Sequence, residues 1–197
     1  MTWYDVLIYG PVYGDCDFNQ CIIWILGYSV SVIWIGIWNQ MHTGYCLKEI
    51  LLRKSPRKIW LKLLADTVVW SMAFGLVRMI PRILCEGFYR MLFIIYAGYC
   101  VNTICIVMIG ITIEWLMSAK AAFCILAAGC TASAICVSFG INGSKILIWN
   151  LGMGFIAEER QLFIIMAVIF ELIIIGMGFV YCKKLLFHSL EKSEEYK

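Results

Sequence analysis

Tyr45 to Asp66 reads YCLKEILLRKSPRKIWLKLLAD, the one strongly charged stretch standing between long apolar ones. Lys48, Arg53, Lys54, Arg57, Lys58 and Lys62 are set against only Glu49 and the terminal Asp66, so six of the sixteen basic residues gather here. Clusters of this kind stay on the cytoplasmic side of a bilayer. The stretch therefore fixes an orientation, and it is the one surface in the chain suited to meet a soluble partner.

The rest of the composition agrees with a bilayer. Of 197 residues, 62% are hydrophobic and 15% charged, with mean hydropathy +0.85, whereas a soluble domain carries ~25% charged residues. The chain reads as an integral membrane protein. Its net charge of +3 is too small and too localised to serve nucleic acid, and the basic residues are suited instead to anionic lipid. The start, MTWYDVLIYGPVYGDCDFNQ, is acidic and lacks the basic leader and apolar core of a signal peptide, so it is expected to belong to the mature protein. Of the ten cysteines, Cys100, Cys105, Cys124, Cys130 and Cys136 lie in apolar runs with no CxxC pair or histidine nearby. They read as small buried hydrophobes, and no metal site is expected. Cys16, Cys21 and Cys85 fall on the outer face in this topology, where a disulfide among them is an open alternative.

Working outward from the basic segment at 42–58, residues 21–41 form a first span, close to the ~20 residues needed to cross hydrocarbon. Residues 1–20 carry Asp5, Asp15 and Asp17 with Gly10, Pro11 and Gly14, and form an outer segment without a span. Its Trp3, Tyr4, Tyr9 and Tyr13 suit the lipid headgroups. Further spans are expected at 59–80, 88–113, 121–140 and 161–182, with Pro81 ending the second. The fourth, AAFCILAAGCTASAICVSFG, has small residues on every face and is expected to be central, because close backbone approach is what packs helices in lipid. Residues 141–160 are too broken to span and fit short interfacial helices on the outer side. Residues 183–197 are a cytoplasmic tail. The predicted fold is all-α, one transmembrane domain over 1–197 with five helices, amino terminus outside and carboxyl terminus inside. Arg78, Arg82 and Arg90, on the outer side, run against the charge rule.

Few residues offer chemistry. Asp66, Glu114 and Glu171 are the acidic groups in or beside the spans, with Asn102 and Thr131 as intramembrane polar positions. Asp66 is spaced to pair with Lys62, and Glu114 to reach Lys120 or water. Glu171, in the middle of IIMAVIFELIIIGMG, should face the bundle interior, since ionisable groups in lipid are costly. No phosphate-cradling glycine loop, HExxH or Ser/His/Asp arrangement is present, so no catalytic residue and no cofactor is expected in this chain. His42 and Cys46, one helical turn apart, are the one pair that a membrane-embedded peptide-processing protease could use.

Leu51 to Leu64, LLRKSPRKIWLKLL, resembles the basic lead into a span found in permease subunits of bacterial ABC-type exporters, of the bacteriocin and lantibiotic export or immunity class. The positions that carry the resemblance are Arg53, Ser55, Arg57, Lys58, Trp60, Lys62 and Leu64, together with the broken stretch Lys145 to Arg160 and the final Lys183 and Lys184. It implies that Lys48, Arg53, Lys54, Arg57, Lys58 and Trp60 dock on a separate ATP-binding subunit, with Ile50, Leu51, Ile59 and Trp60 as apolar anchors. It also implies a second permease subunit, identical or different, a bacterial plasma (inner) membrane location, and amphipathic peptides or lipids as cargo. The family's first of six helices has no counterpart, and is either lost or supplied by a partner. A small-molecule carrier of an uptake system, with a polar pocket of Asn102, Thr103, Thr131, Ser133 and Glu171, is the alternative.

Overall fold

The computed structural model describes residues 3–53, 56–87, 90–141, 148–150, 153, 168–182 and 184, and of residues 42–56 it describes no side chains. The described residues form helices α1 (Trp3–Tyr9), α2 (Phe18–Arg53), α3 (Pro56–Glu86), α4 (Arg90–Leu116), α5 (Ala119–Ser138) and α6 (Val168–Cys182), with a 3-10 turn at Ile148–Asn150. Four stretches, Phe18–Asn39, Arg57–Cys85, Arg90–Leu116 and Ala119–Ser138, are long and apolar enough to cross a membrane. Their outward faces carry Val69 (65% exposed), Val77 (65%) and Leu84 (80%), a surface whose transfer into hydrocarbon is favourable and into water is not. The protein is a membrane-embedded, all-helical bundle. Of the fifth expected span, 161–167 lies outside the described residues and 168–182 forms α6, an apolar helix shorter than the four crossing stretches.

The helix at the centre is α4. It packs on α2, α3 and α5, and buries residues on every side, among them Leu92, Tyr99, Asn102, Cys105, Val107, Met108 and Trp115. The small-residue α5 was expected there, and the structure corrects this. One stripe of α5, Ala122, Cys130, Ala134 and Val137, packs inward, while Phe123, Ile125, Ala128, Thr131 and Ala132 face out. A helix of small residues has little area to bury on all sides, whereas α4 is apolar and bulky throughout.

The basic segment is not a loop. α2 continues unbroken through residues 42–53, and α3 begins at Pro56, with Lys54 and Ser55 outside the described residues. The two helices run antiparallel. Asn39 Nδ2 donates to Thr67 Oγ1 at 2.9 Å, and Thr67 Oγ1 donates to Leu63 O at 2.7 Å.

Pro81 does not end α3, which runs on to Glu86 and stops at Gly87, whose φ of +79° and N–H to Ile83 O close the helix. Proline removes a single backbone bond, and the extra turn recovers more than that. Ile83 joins Ile8, Met79, Leu92 and Ile95 in one apolar cluster, and Arg82 pairs with Asp5 and stacks over the Tyr9 ring at 5.3 Å. These contacts also fold the first residues back onto the bundle, with Val6 and Ile8 buried, so α1 is more than a headgroup rest. Gly14 N–H and Cys16 N–H donate to Val137 O and Ser138 O, and Tyr13 O–H to Gly140 O at 2.8 Å, so the first residues bond to carbonyls at the end of α5. Cys16, Cys21 and Cys85 are free thiols.

Within 141–160, Ile141 is exposed, whereas Trp149, Asn150 and Met153 pack into the bundle and do not lie at its edge. The Trp149 indole sits where a Cβ on Gly129 would come within 2.4 Å of it, and Asn150 Nδ2 donates to Ser133 O at 3.3 Å. Gly129 is nine residues inside the end of α5, ~14 Å by helical rise. Irregular backbone at such depth persists only where protein covers it, and Asn150 and Met153 are buried.

Candidate functional site: an apolar groove ending on a buried acid

α2, α4 and α5 diverge enough to leave a groove of about 650 Å³. Val107 and Ile111 of α4 form its floor, with Val32, Ile33 and Ile37 of α2 on one side and Ala122, Phe123 and Leu126 of α5 on the other. Gly36 borders this open space, since a Cβ there would meet nothing within 4 Å. Glu114 and Lys120 stand at the end where α4 passes to α5, and Tyr28, Cys130 and Trp149 at the other. Ser118 sets the start of α5 at the charged end, its Oγ accepting from Ala121 N–H at 3.2 Å. Of the lining described, Glu114 and Lys120 alone are charged.

The Tyr28 end leads into a chain of buried polar groups. Tyr28 O–H donates to Asn102 Oδ1 at 2.7 Å, and Asn102 Nδ2 donates to Glu171 Oε1 at 2.8 Å, so α2, α4 and α6 are joined through side chains that are at most 1% exposed. A second pair of bonds runs alongside: Tyr99 O–H donates to Ser31 Oγ at 2.8 Å, and Ser31 Oγ to Tyr28 O at 2.7 Å. Aromatic packing holds these groups in register. Trp24 stacks on Tyr28 with centroids 4.9 Å apart, Tyr99 meets Tyr28 edge-on at 5.8 Å, and the Arg78 guanidinium lies 4.5 Å over the Tyr99 ring. Arg78, expected near the outer boundary, is thus drawn into the bundle.

Compared with known proteins, the chain matches no family, no curated protein and no solved structure.

Asn102 and Glu171, two of the intramembrane polar positions read from the sequence, meet in one network. Thr131 does not join them, since it faces outward on α5, and Asp66 is half-buried elsewhere, on α3. Thr103 and Ser133 are buried, but among the described residues no open polar pocket gathers the five groups a carrier would need. Tyr28, Tyr99 and Ser31 were missed, because an isolated Tyr or Ser in an apolar run gives no signal of a partner 68 or 74 positions away.

At the basic end, Arg57 and Lys58 are exposed. Ile59 and Trp60, read as anchors for a partner, instead turn into the bundle at 5% and 1% exposure. The Trp60 indole packs edge-on to Trp115 at 5.8 Å and into the space above Gly178, because a Trp at the membrane-facing start of α3 buries more area inward than outward. Lys54 lies outside the described residues, as do the side chains of Lys48, Ile50, Leu51 and Arg53. The side chains of His42 and Cys46 fall in the same stretch, on α2.

Proposed function

We propose that the chain is the membrane-spanning subunit of an ATP-driven exporter of amphipathic molecules, working with a separate ATP-binding subunit and a second permease subunit in a bacterial plasma membrane. The observation that carries this reading is the groove: apolar along its length, charged at one end and within the range of small-ligand sites, ~300–1,000 Å³. A polar small molecule would find few partners in it, which favours the exporter over a small-molecule carrier.

Two further features support it. The continuous α2 and its antiparallel neighbour α3 make a stiff hairpin that presents Arg57 and Lys58 outward while Trp60 is keyed into α4 and α6. A push on the hairpin is thereby felt at the groove's floor, since Trp60, Val107 and Ile111 belong to one packed cluster. Drawing Arg78 and Arg82 into contacts with Tyr99 and Asp5 also removes most of the objection to a cytoplasmic hairpin, because the charges that opposed it are held within the fold.

The test is affinity purification of the tagged chain from its host in mild detergent, with mass spectrometry of what accompanies it. An ATP-binding subunit should copurify, and should be lost when Arg53, Arg57 and Lys58 are all changed to Glu. Recovery of the chain alone, or an ATP-binding subunit retained by the charge-reversed variant, overturns the docking assignment.

A further inference from the structure

The groove has a length as well as a volume. Lys120 to Cys130 on α5 is ten residues, and Glu114 to Ile106 on α4 is eight, which by helical rise are ~15 Å and ~12 Å. Half the ~30 Å thickness of a bilayer's hydrocarbon is the same distance. The landmarks agree with that depth: Tyr28 and Asn102 lie close to the middle of the apolar stretches Phe18–Asn39 and Arg90–Leu116, so the uncharged end of the groove is at mid-membrane and the Lys120 end is at a headgroup surface. Val107 and Ile111 on the floor are buried, while Ile33, Ile37 and Phe123 on the rims are 40%, 45% and 57% exposed.

We infer that this groove is a binding site for one phospholipid of a single leaflet: one acyl chain lies between α2 and α5 with its methyl end against Tyr28 and Cys130, and the phosphate meets Lys120. The charge on Lys120 complements the phosphate, and Glu114 at the same end suits a headgroup that also carries an amine. A groove one leaflet deep, charged only at its surface end, matches an acyl chain below a headgroup. A helix from another subunit would have no reason to stop at the midplane. The inference rests on the proposed function only in taking the groove as the chain's ligand site, and its test needs no ATP-binding subunit.

The chain is reconstituted in lipid nanodiscs containing a phosphatidylethanolamine with a diazirine either near the ester or near the methyl end of one acyl chain. After irradiation, adducts are mapped by peptide mass spectrometry. The ester-proximal probe should label 119–123 and the methyl-end probe 126–130. Gly36→Phe, which fills open space in the groove wall, should lower the methyl-end labelling about tenfold, equivalent to ~1.4 kcal/mol. Ala127→Phe serves the same purpose from α5 if Gly36→Phe does not fold. Lys120→Glu should reduce labelling by both probes several-fold while leaving that on Val69 and Val77 unchanged. Labelling spread evenly over the outward faces and indifferent to Gly36→Phe and Ala127→Phe overturns the site. Depth-independent labelling overturns the one-leaflet geometry, and unaltered labelling in Lys120→Glu overturns the headgroup contact. If a diazirine-bearing amino acid placed at Ala127 and irradiated in native membranes crosslinks to another protein in place of a lipid, the groove belongs to another subunit and the inference fails.

Discussion

Replacing Asn102 by leucine is expected to destabilise the protein by about 2–4 kcal/mol, the sum of stranding two buried partners at about 1–3 each, less what relaxation recovers. The side chain accepts from Tyr28 O–H and donates to Glu171, and it is fully buried within an apolar helix long enough to cross a membrane. Leucine is similar in size, so the loss reports hydrogen bonding and not a cavity. Glu171→Gln keeps an acceptor for Asn102 Nδ2 and should stay within about 1 kcal/mol of the parent, whereas Glu171→Leu should resemble Asn102→Leu. Thermal unfolding in detergent, followed by size-exclusion chromatography of the heated samples, measures the difference. Asn102→Leu as stable as the parent would show that the chain of bonds from α2 to α6 contributes nothing.

The second large effect is steric. A Cβ on Gly178 would lie 2.3 Å from Trp60 Cζ2, and the indole has nowhere to go, since its other side meets Trp115. Gly178→Val should therefore push α6 from α3 and cost about 1–3 kcal/mol or more, as overpacked cores do. Trp60→Leu alone should also destabilise, by leaving a cavity. The two together should be less harmful than the sum of the singles, because the smaller side chain vacates the space the valine needs. That non-additivity, read from the same thermal assay, is the signature of direct contact. Additive losses would deny it. If the hairpin transmits motion, Gly178→Val should also weaken any coupling between the basic end and the groove, even at temperatures where the protein is fully folded.

How much of this could be read from the residues follows from which forces are local. That the chain is helical and lies in a membrane is written in the long uncharged runs, because a span must satisfy its backbone internally whatever its neighbours are. That Glu171 faces inward follows from the same physics, since a carboxyl in hydrocarbon is too costly to leave facing lipid. What it would face was not legible: Asn102 is 69 positions away, and nothing in an isolated asparagine announces that it bridges Tyr28 to a carboxyl. Pro81 misled because its local effect was weighed without the rewards on its far side, the Arg82–Asp5 pair and the packing of Ile83. Trp60 misled in the opposite sense. Its setting among lysines and arginines suggested a surface, while helical periodicity turns it toward Trp115. The small residues of α5 marked close packing correctly on one stripe only. The other stripe, with Phe123 and Ala127, became the wall of a groove whose existence depends on how α2 and α4 are placed.

In the proposed function, an amphipathic molecule enters the α2–α4–α5 groove and is acted on through the basic hairpin by an ATP-driven partner. The measurement that tests it most directly is ATP hydrolysis by the complex purified through this chain and reconstituted in proteoliposomes, with and without an amphipathic peptide, for the parent and for Gly36→Phe. The peptide should raise hydrolysis in the parent, and Gly36→Phe should remove the rise while the partner still copurifies. Hydrolysis indifferent to both the peptide and the substitution would contradict it, as would a preparation that hydrolyses no ATP at all.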